Sequence, residues 1–123
     1  MGILKRLFKS DDDSNLEFEW NYLLKISDFD RIIESSYDRT VVIFKHSTRC
    51  GISSSVLRKF EKAMVDKQAG YSFNMIKVIE NRELSDEIAQ RFSIRHESPQ
   101  LLTIKNKAVQ KYGSHYDILT LEF

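Results

Sequence analysis

The run TVVIFK, residues 40–45, constrains this chain more than any other stretch. Its consecutive β-branched and aromatic residues read as a strand buried on both faces. Such a strand needs cover above and below, and the flanking segments supply helices. Before it, SDFDRIIESSY sets Phe29, Ile32 and Ile33 on one helical face. Ser27 is the cap candidate there, with Asp30 three residues on. After it, Ile52, Val56, Leu57, Phe60 and Met64 recur at helical spacing, with Arg58, Lys59, Glu61 and Lys62 opposite. Gly70 offers a stop for that helix. FEWNYLLKI (18–26) and YSFNMIKVI (71–79) read as strands, and NRELSDEIAQRF reads as a third helix with Leu84, Ile88, Ala89 and Phe92 on one face. QLLTIK and AVQKY form two more strands joined at Asn106-Lys107, a tight hairpin. The order β-α-β-α-β-α-β-β predicts an α/β fold. Its parallel strands are joined by a right-handed crossover, an antiparallel hairpin lies at one edge, and helices cover both faces of a mixed sheet.

The 123 residues suit one domain, and 8 Phe with 5 Tyr suffice for a core. A net charge of +1 carries no electrostatic footprint for nucleic acid, and no apolar run approaches membrane-spanning length. MGILKRLFKS is basic but lacks a secretory apolar core, and Arg6 breaks the myristoylation pattern. With the acidic SDDDSN that follows, residues 1–15 read as a flexible tail before a single domain at 16–123. One cysteine cannot close an internal disulfide, and a reducing cytoplasm is its natural setting.

That cysteine, Cys50, falls between the second strand and the helix after it. Unpaired backbone N–H groups and the helix dipole favour a thiolate there. The bland alternative is a small buried hydrophobe. Lys45 and Arg49 are near enough in sequence to favour the anion. His46, four residues away, invites a Cys–His pair, but at a strand end it reads better as a hydrogen-bonded structural residue. Other chemistries fail on spacing. A Cys-x5-Arg phosphate loop needs arginine at a position held by Val56. Cys50 with the scattered His46, His96 and His115 makes no zinc pattern, and no glycine-rich nucleotide loop occurs.

The only proline, Pro99 in HESPQLL, opens the fourth strand. With Cys50 placed as it is, this resembles the thioredoxin fold, a three-layer arrangement in which a cis-proline packs beside the active-site cysteine. The resemblance implies a cis bond at Ser98-Pro99. Within that fold the chain resembles the monothiol bacilliredoxin family from about Trp20 to Ile118. FKHSTRCGISS (44–54), ESPQ around Pro99 and GSHYDI (113–118) carry the match. Two features depart from it. Gly51 stands where proline is expected, which implies a more mobile loop, and DILTLEF is shorter than the expected closing helix.

The resemblance implies a cytoplasmic thiol-disulfide oxidoreductase that removes bacillithiol from protein mixed disulfides through an adduct on Cys50. Bacillithiol would be a co-substrate, with no tightly bound cofactor or metal. The partners would be bacillithiolated client proteins and a second low-molecular-weight thiol. Ser53 stands where dithiol relatives carry a resolving cysteine, so CGIS forbids an internal disulfide; Ser53 can hydrogen-bond the thiolate, cap the helix, or both. Lys45, Thr48 and Arg49 would bind the thiol substrate, with Lys45 and Arg49 meeting its malate carboxylates. The Ser98 backbone beside Pro99 would pair with its cysteinyl part. Ser114 and Asp117 would contact its polar groups, though both read equally well as a turn and a helix cap. Two other readings stay open. CGIS resembles the CGFS of monothiol glutaredoxins, which carry iron-sulfur clusters; the short STR loop and the lack of a double glycine near Gly113 argue against that. A non-catalytic thioredoxin-fold binding module is the other.

Overall fold

The computed structural model describes residues 18–123, so the predicted tail at 1–15 lies outside the described residues. The elements are β1 (Asn21–Tyr22), α1 (Ile26–Ser35), β2 (Thr40–His46), α2 (Gly51–Met64), β3 (Tyr71–Lys77), α3 (Arg82–Phe92), β4 (Gln100–Lys105) and β5 (Ala108–Ser114). Two 3₁₀ segments, Val65–Gly70 and His115–Thr120, join and close them. The sheet runs β1-β3-β2-β4-β5. β1, β3 and β2 are parallel, while β4 is antiparallel to β2 and β5 antiparallel to β4.

β2 is the middle strand, and its alternation distributes side chains between two layers. Val41 and Ile43 pack with Phe29, Ile32 and Ile33 of α1 and with Leu84 and Ile88 of α3. Val42 and Phe44 pack with Val56, Phe60 and Met64 of α2. The sheet is thus covered on both faces, as the apolar run required. The α1/α3 layer is largely aliphatic. The α2 layer is aromatic, with Phe18, Trp20, Phe44, Phe60 and Phe73 in mutual ring contact.

Several boundaries differ from the sequence reading. Only Asn21–Tyr22 of the strand expected at 18–26 pairs with β3. Its flanks do other work: Phe18 and Trp20 join the aromatic layer, and Ile26 opens α1. The N-cap of α1 is Lys25 rather than Ser27, and the capping side chain is Asp28 rather than Asp30. The Asp28 carboxylate accepts the Leu24 and Lys25 N–H groups at 2.9 and 3.2 Å. An anion satisfies helix-start donors better than a hydroxyl does. Those bonds, that from Leu24 first, hold the Asp28 carboxyl below its usual range. α2 ends at Met64, its last buried residue, and the chain then winds as 3₁₀ to Gly70. β3 stops at Lys77, two residues early, and β5 runs on to Ser114.

The hairpin is as expected. Asn106 and Lys107 both adopt positive φ, 53° and 64°, as the two central residues of a type I′ turn do. Ser36, just past α1, holds this turn: its carbonyl accepts the Asn106 N–H at 2.9 Å and its hydroxyl accepts the Lys107 N–H at 2.8 Å. In place of a closing helix, the 3₁₀ segment His115–Thr120 buries Ile118 in the α2 layer. Phe123 packs beyond it, its ring 5.7 Å from those of Phe60 and Tyr71.

Candidate functional site

Cys50 is a free thiol, partly exposed, at the N-cap of α2. Its backbone is extended (φ −107°, ψ 119°) while its carbonyl already accepts the first helical bond, from Ser54 N–H at 3.1 Å. Its own N–H donates to Ser47 C=O at 3.2 Å, closing the STR loop as a tight turn. The Cys50 side chain makes no capping bond, so it is not occupied in holding the helix. Thr48 and Arg49 are exposed on the loop, and Gly51 begins α2 without a positive φ.

Ser53 is fully buried, and its hydroxyl is already committed. It accepts the Ser47 N–H at 3.1 Å and lies 2.7 Å from His46 Nδ1. The Ser53 hydroxyl therefore bridges the Ser47 backbone and the His46 ring. Burial, with the Lys77 ammonium adding to it, holds the His46 pKa below its ordinary value, while Glu80 acts the other way. Ser53, read from the sequence as a thiolate partner or a helix cap, here joins the Ser47 backbone to the His46 ring and so pins the loop to the end of β2.

The Ser98-Pro99 bond is cis, as the resemblance implied, and Pro99 is buried. Gln100, immediately after it, pairs with Lys45 at the end of β2. The Cys50 loop and the arm ending in Pro99 thus leave neighbouring strands at the same end of the sheet. Ser114 pairs with Gln100 across β4 and β5, and Pro99 C=O accepts the His115 N–H at 2.9 Å. Asp117 is exposed in the first turn of the 3₁₀ segment that follows. Thr48, Arg49, Cys50, Ser98, Pro99, Ser114 and Asp117 are therefore gathered at one end of the fold. Beside Pro99, Ser98 Oγ and Gln100 Oε1 are buried without a partner among the described residues.

Lys45 does not join them. It shares a strand face with Val41 and Ile43, so its side chain enters the α1/α3 layer, where it is 0 % exposed. Its Nζ donates to Ser85 C=O at 3.1 Å and to His96 Nδ1 at 3.3 Å. The expected contact with a substrate carboxylate is corrected: a fully covered ammonium on the layer opposite α2 presents no charge to a bound thiol. Burial lowers its pKa to about 8, with Asp86 opposing. Sequence reading passed over Ser85 and named His96 only in excluding a zinc site. The parity of β2, with Lys45 two residues beyond Ile43, was the signal that could have found them.

Among the described residues no helix is long and apolar enough to cross a membrane. Solved structures give the fold. A protein described as a candidate oxidoreductase with a thioredoxin fold is 31% identical, with a TM-score of 0.72 over 80% of this chain and 84% of that one. Thioredoxin f from spinach chloroplast, in its short form, is 21% identical, with a TM-score of 0.65 over 83% of this chain and 88% of its own. Thioredoxin from Fasciola hepatica is 21% identical, with a TM-score of 0.62 over 77% of this chain and 86% of its own. The family model described as monothiol bacilliredoxin BrxC matches residues 21–122. A thioredoxin-fold sheet with cis-Pro99 and one cysteine at the start of α2, matched over nearly all the described residues, makes this chain a member of the monothiol bacilliredoxin BrxC family.

Proposed function

We propose that this thiol oxidoreductase removes bacillithiol from protein mixed disulfides in a reducing cytoplasm, using Cys50 alone. The observation that carries the reading is a partly exposed thiol at a helix N-cap, in a chain with no second cysteine to resolve an adduct. The Cys50 thiolate attacks the bacillithiol sulfur of the mixed disulfide. The bond to the client sulfur breaks, the client leaves as a thiolate and takes a proton from solvent, and a Cys50–bacillithiol disulfide forms. A second low-molecular-weight thiol then attacks the bacillithiol sulfur of that adduct. Cys50 is restored, and the two small thiols leave as a disulfide.

Around this step, the Cys50 side chain holds no capping bond and is free to enter the exchange. The Ser98 backbone beside cis-Pro99 would receive the cysteinyl part of the thiol. Arg49, exposed on the loop, would meet the malate carboxylates, and Thr48, Ser114 and Asp117 would meet polar groups. The reading calls for neither a resident cofactor nor a nucleic-acid or membrane partner. The test mixes a bacillithiolated client with wild type and with Cys50→Ser and follows client thiol release, with mass spectrometry of the protein. Wild type is expected to release client thiol and gain the mass of one bacillithiol, and Cys50→Ser to do neither. Equal release by both proteins would end the proposal.

A further inference from the structure

The buried Lys45 ammonium lies in a largely aliphatic layer, and among the described residues no carboxylate is in ion-pair contact with it. Its partners belong to two other elements. Ser85 is on α3, and His96 is on the arm that ends at cis-Pro99. The Ser85 hydroxyl also reaches His96 Nδ1, at 3.0 Å. With two donors aimed at Nδ1, His96 is neutral and carries its hydrogen on Nε2. One residue before it, Arg95 C=O accepts Gln100 Nε2 at 2.9 Å. The arm is thus fastened at consecutive residues, to β4 through Arg95 and to β2 and α3 through His96.

We propose that Lys45 is a positioning residue, whose contact with His96 fixes the arm carrying Ser98 and Pro99 against the end of the sheet that bears Cys50. The inference rests on the thiol-exchange reading for its purpose, since the Ser98 backbone is where a substrate thiol would dock. The tether itself stands on the contacts of Lys45. Its neighbour His46 holds the other half of the site, through Ser53 and Ser47. The last two residues of β2 therefore fasten the two loops from opposite faces of the sheet. The charged groups around the tether are few: Asp86 and Arg82 from α3 and Glu97 from the arm. Burial first, and then the Lys45 ammonium, hold the His96 pKa below its ordinary value, which keeps Nδ1 free to accept.

A lysine kept only for stability would be a poor choice here, because an apolar residue of the same length avoids desolvating a charge. This gives the test its discriminating sign. In full-length Lys45→Met, the melting temperature at pH 7 is expected to rise. Amide exchange from Ile94 to Ser98 should nevertheless speed up about tenfold, the scale of one lost hydrogen bond to a charged group. KM for a bacillithiolated client should rise, with kcat less affected. His96→Leu should also free the arm, without touching β2, while His96→Asn keeps an acceptor at the Nδ1 position and should leave arm exchange near that of wild type. Unchanged arm exchange in both Lys45→Met and His96→Leu would overturn the proposal. So would faster exchange spread evenly over the sheet together with a lower melting temperature. Faster arm exchange in a protein whose wild type releases no client thiol would support the tether and sink the reaction instead.

Discussion

Lys45 and His46 are neighbours on one strand, and they answer the same problem in different ways. Both are polar, both are buried, and each enters a different layer. His46 meets an aromatic layer, its ring 6.3 Å from that of Phe44, and can be neutral there; a single hydroxyl satisfies Nδ1. Lys45 meets an aliphatic layer and carries a cation that its two acceptors stabilise without neutralising. The imidazole is therefore cheap to bury and the ammonium is not. The comparison teaches that the α2 side of the site is held by a bond that also stabilises the fold, whereas the arm on the other side is held at the expense of stability.

The largest test of that contrast is alkaline. The Lys45 pKa in the folded protein is about 8, against an ordinary lysine value of 10.5. The unfolded chain holds more protons between those values, so folding stability should rise with pH across that window and be lowest, from this group, below pH 8. The gain over Lys45→Met is expected to be on the order of 3 kcal/mol. Urea unfolding of both proteins from pH 7.5 to 10 measures it, and parallel curves would remove the distinction between the two residues. Next in size is Ser53→Ala, which strands His46 Nδ1 and the Ser47 N–H. A loss of about 1–3 kcal/mol is expected, visible as a lower urea midpoint at unchanged slope. A neutral result would mean that the His46 side is no better satisfied than the Lys45 side. The smallest effect is acidic. His46 and His96 both have lowered pKa values in the folded state, so stability falls as the pH drops through 6.5 and below. His46→Asn should blunt that fall, and a fall of full size in this variant would assign it to His96.

Much of the architecture was legible because period and placement agreed. The buried run at β2, the apolar stripes of α2 and α3, and the Asn106-Lys107 turn each need one backbone geometry, and each took it. The edges were less legible. The segment 18–26 has strand composition throughout, but only Asn21–Tyr22 finds a partner; Phe18 and Trp20 are aromatic for the α2 layer rather than for a ladder. Ser27 looked like a cap because its residue type is right, yet Asp28 one position later offers a charge to the same donors. At the site, the cysteine, the cis-proline and the loop were in view. Lys45 misled because a lysine beside a polar loop looks solvated. Its surroundings depend on α3 and on the arm, both about 40 residues or more away in sequence, and nothing local announces them.

Trp20 gives the α2 layer an optical handle. It is the only tryptophan in the chain, and its indole N–H donates to Glu61 on α2 at 2.6 Å while its ring lies 5.8 Å from that of Phe44 and 6.1 Å from that of Phe60. Its ultraviolet emission therefore originates from one place, against the helix whose first turn follows Cys50. An unlabelled sample in a cuvette can thus report, in real time, whether that helix shifts when the thiol is loaded and unloaded. The reactive sulfur needs no dye attached to it, so the group under observation stays unaltered.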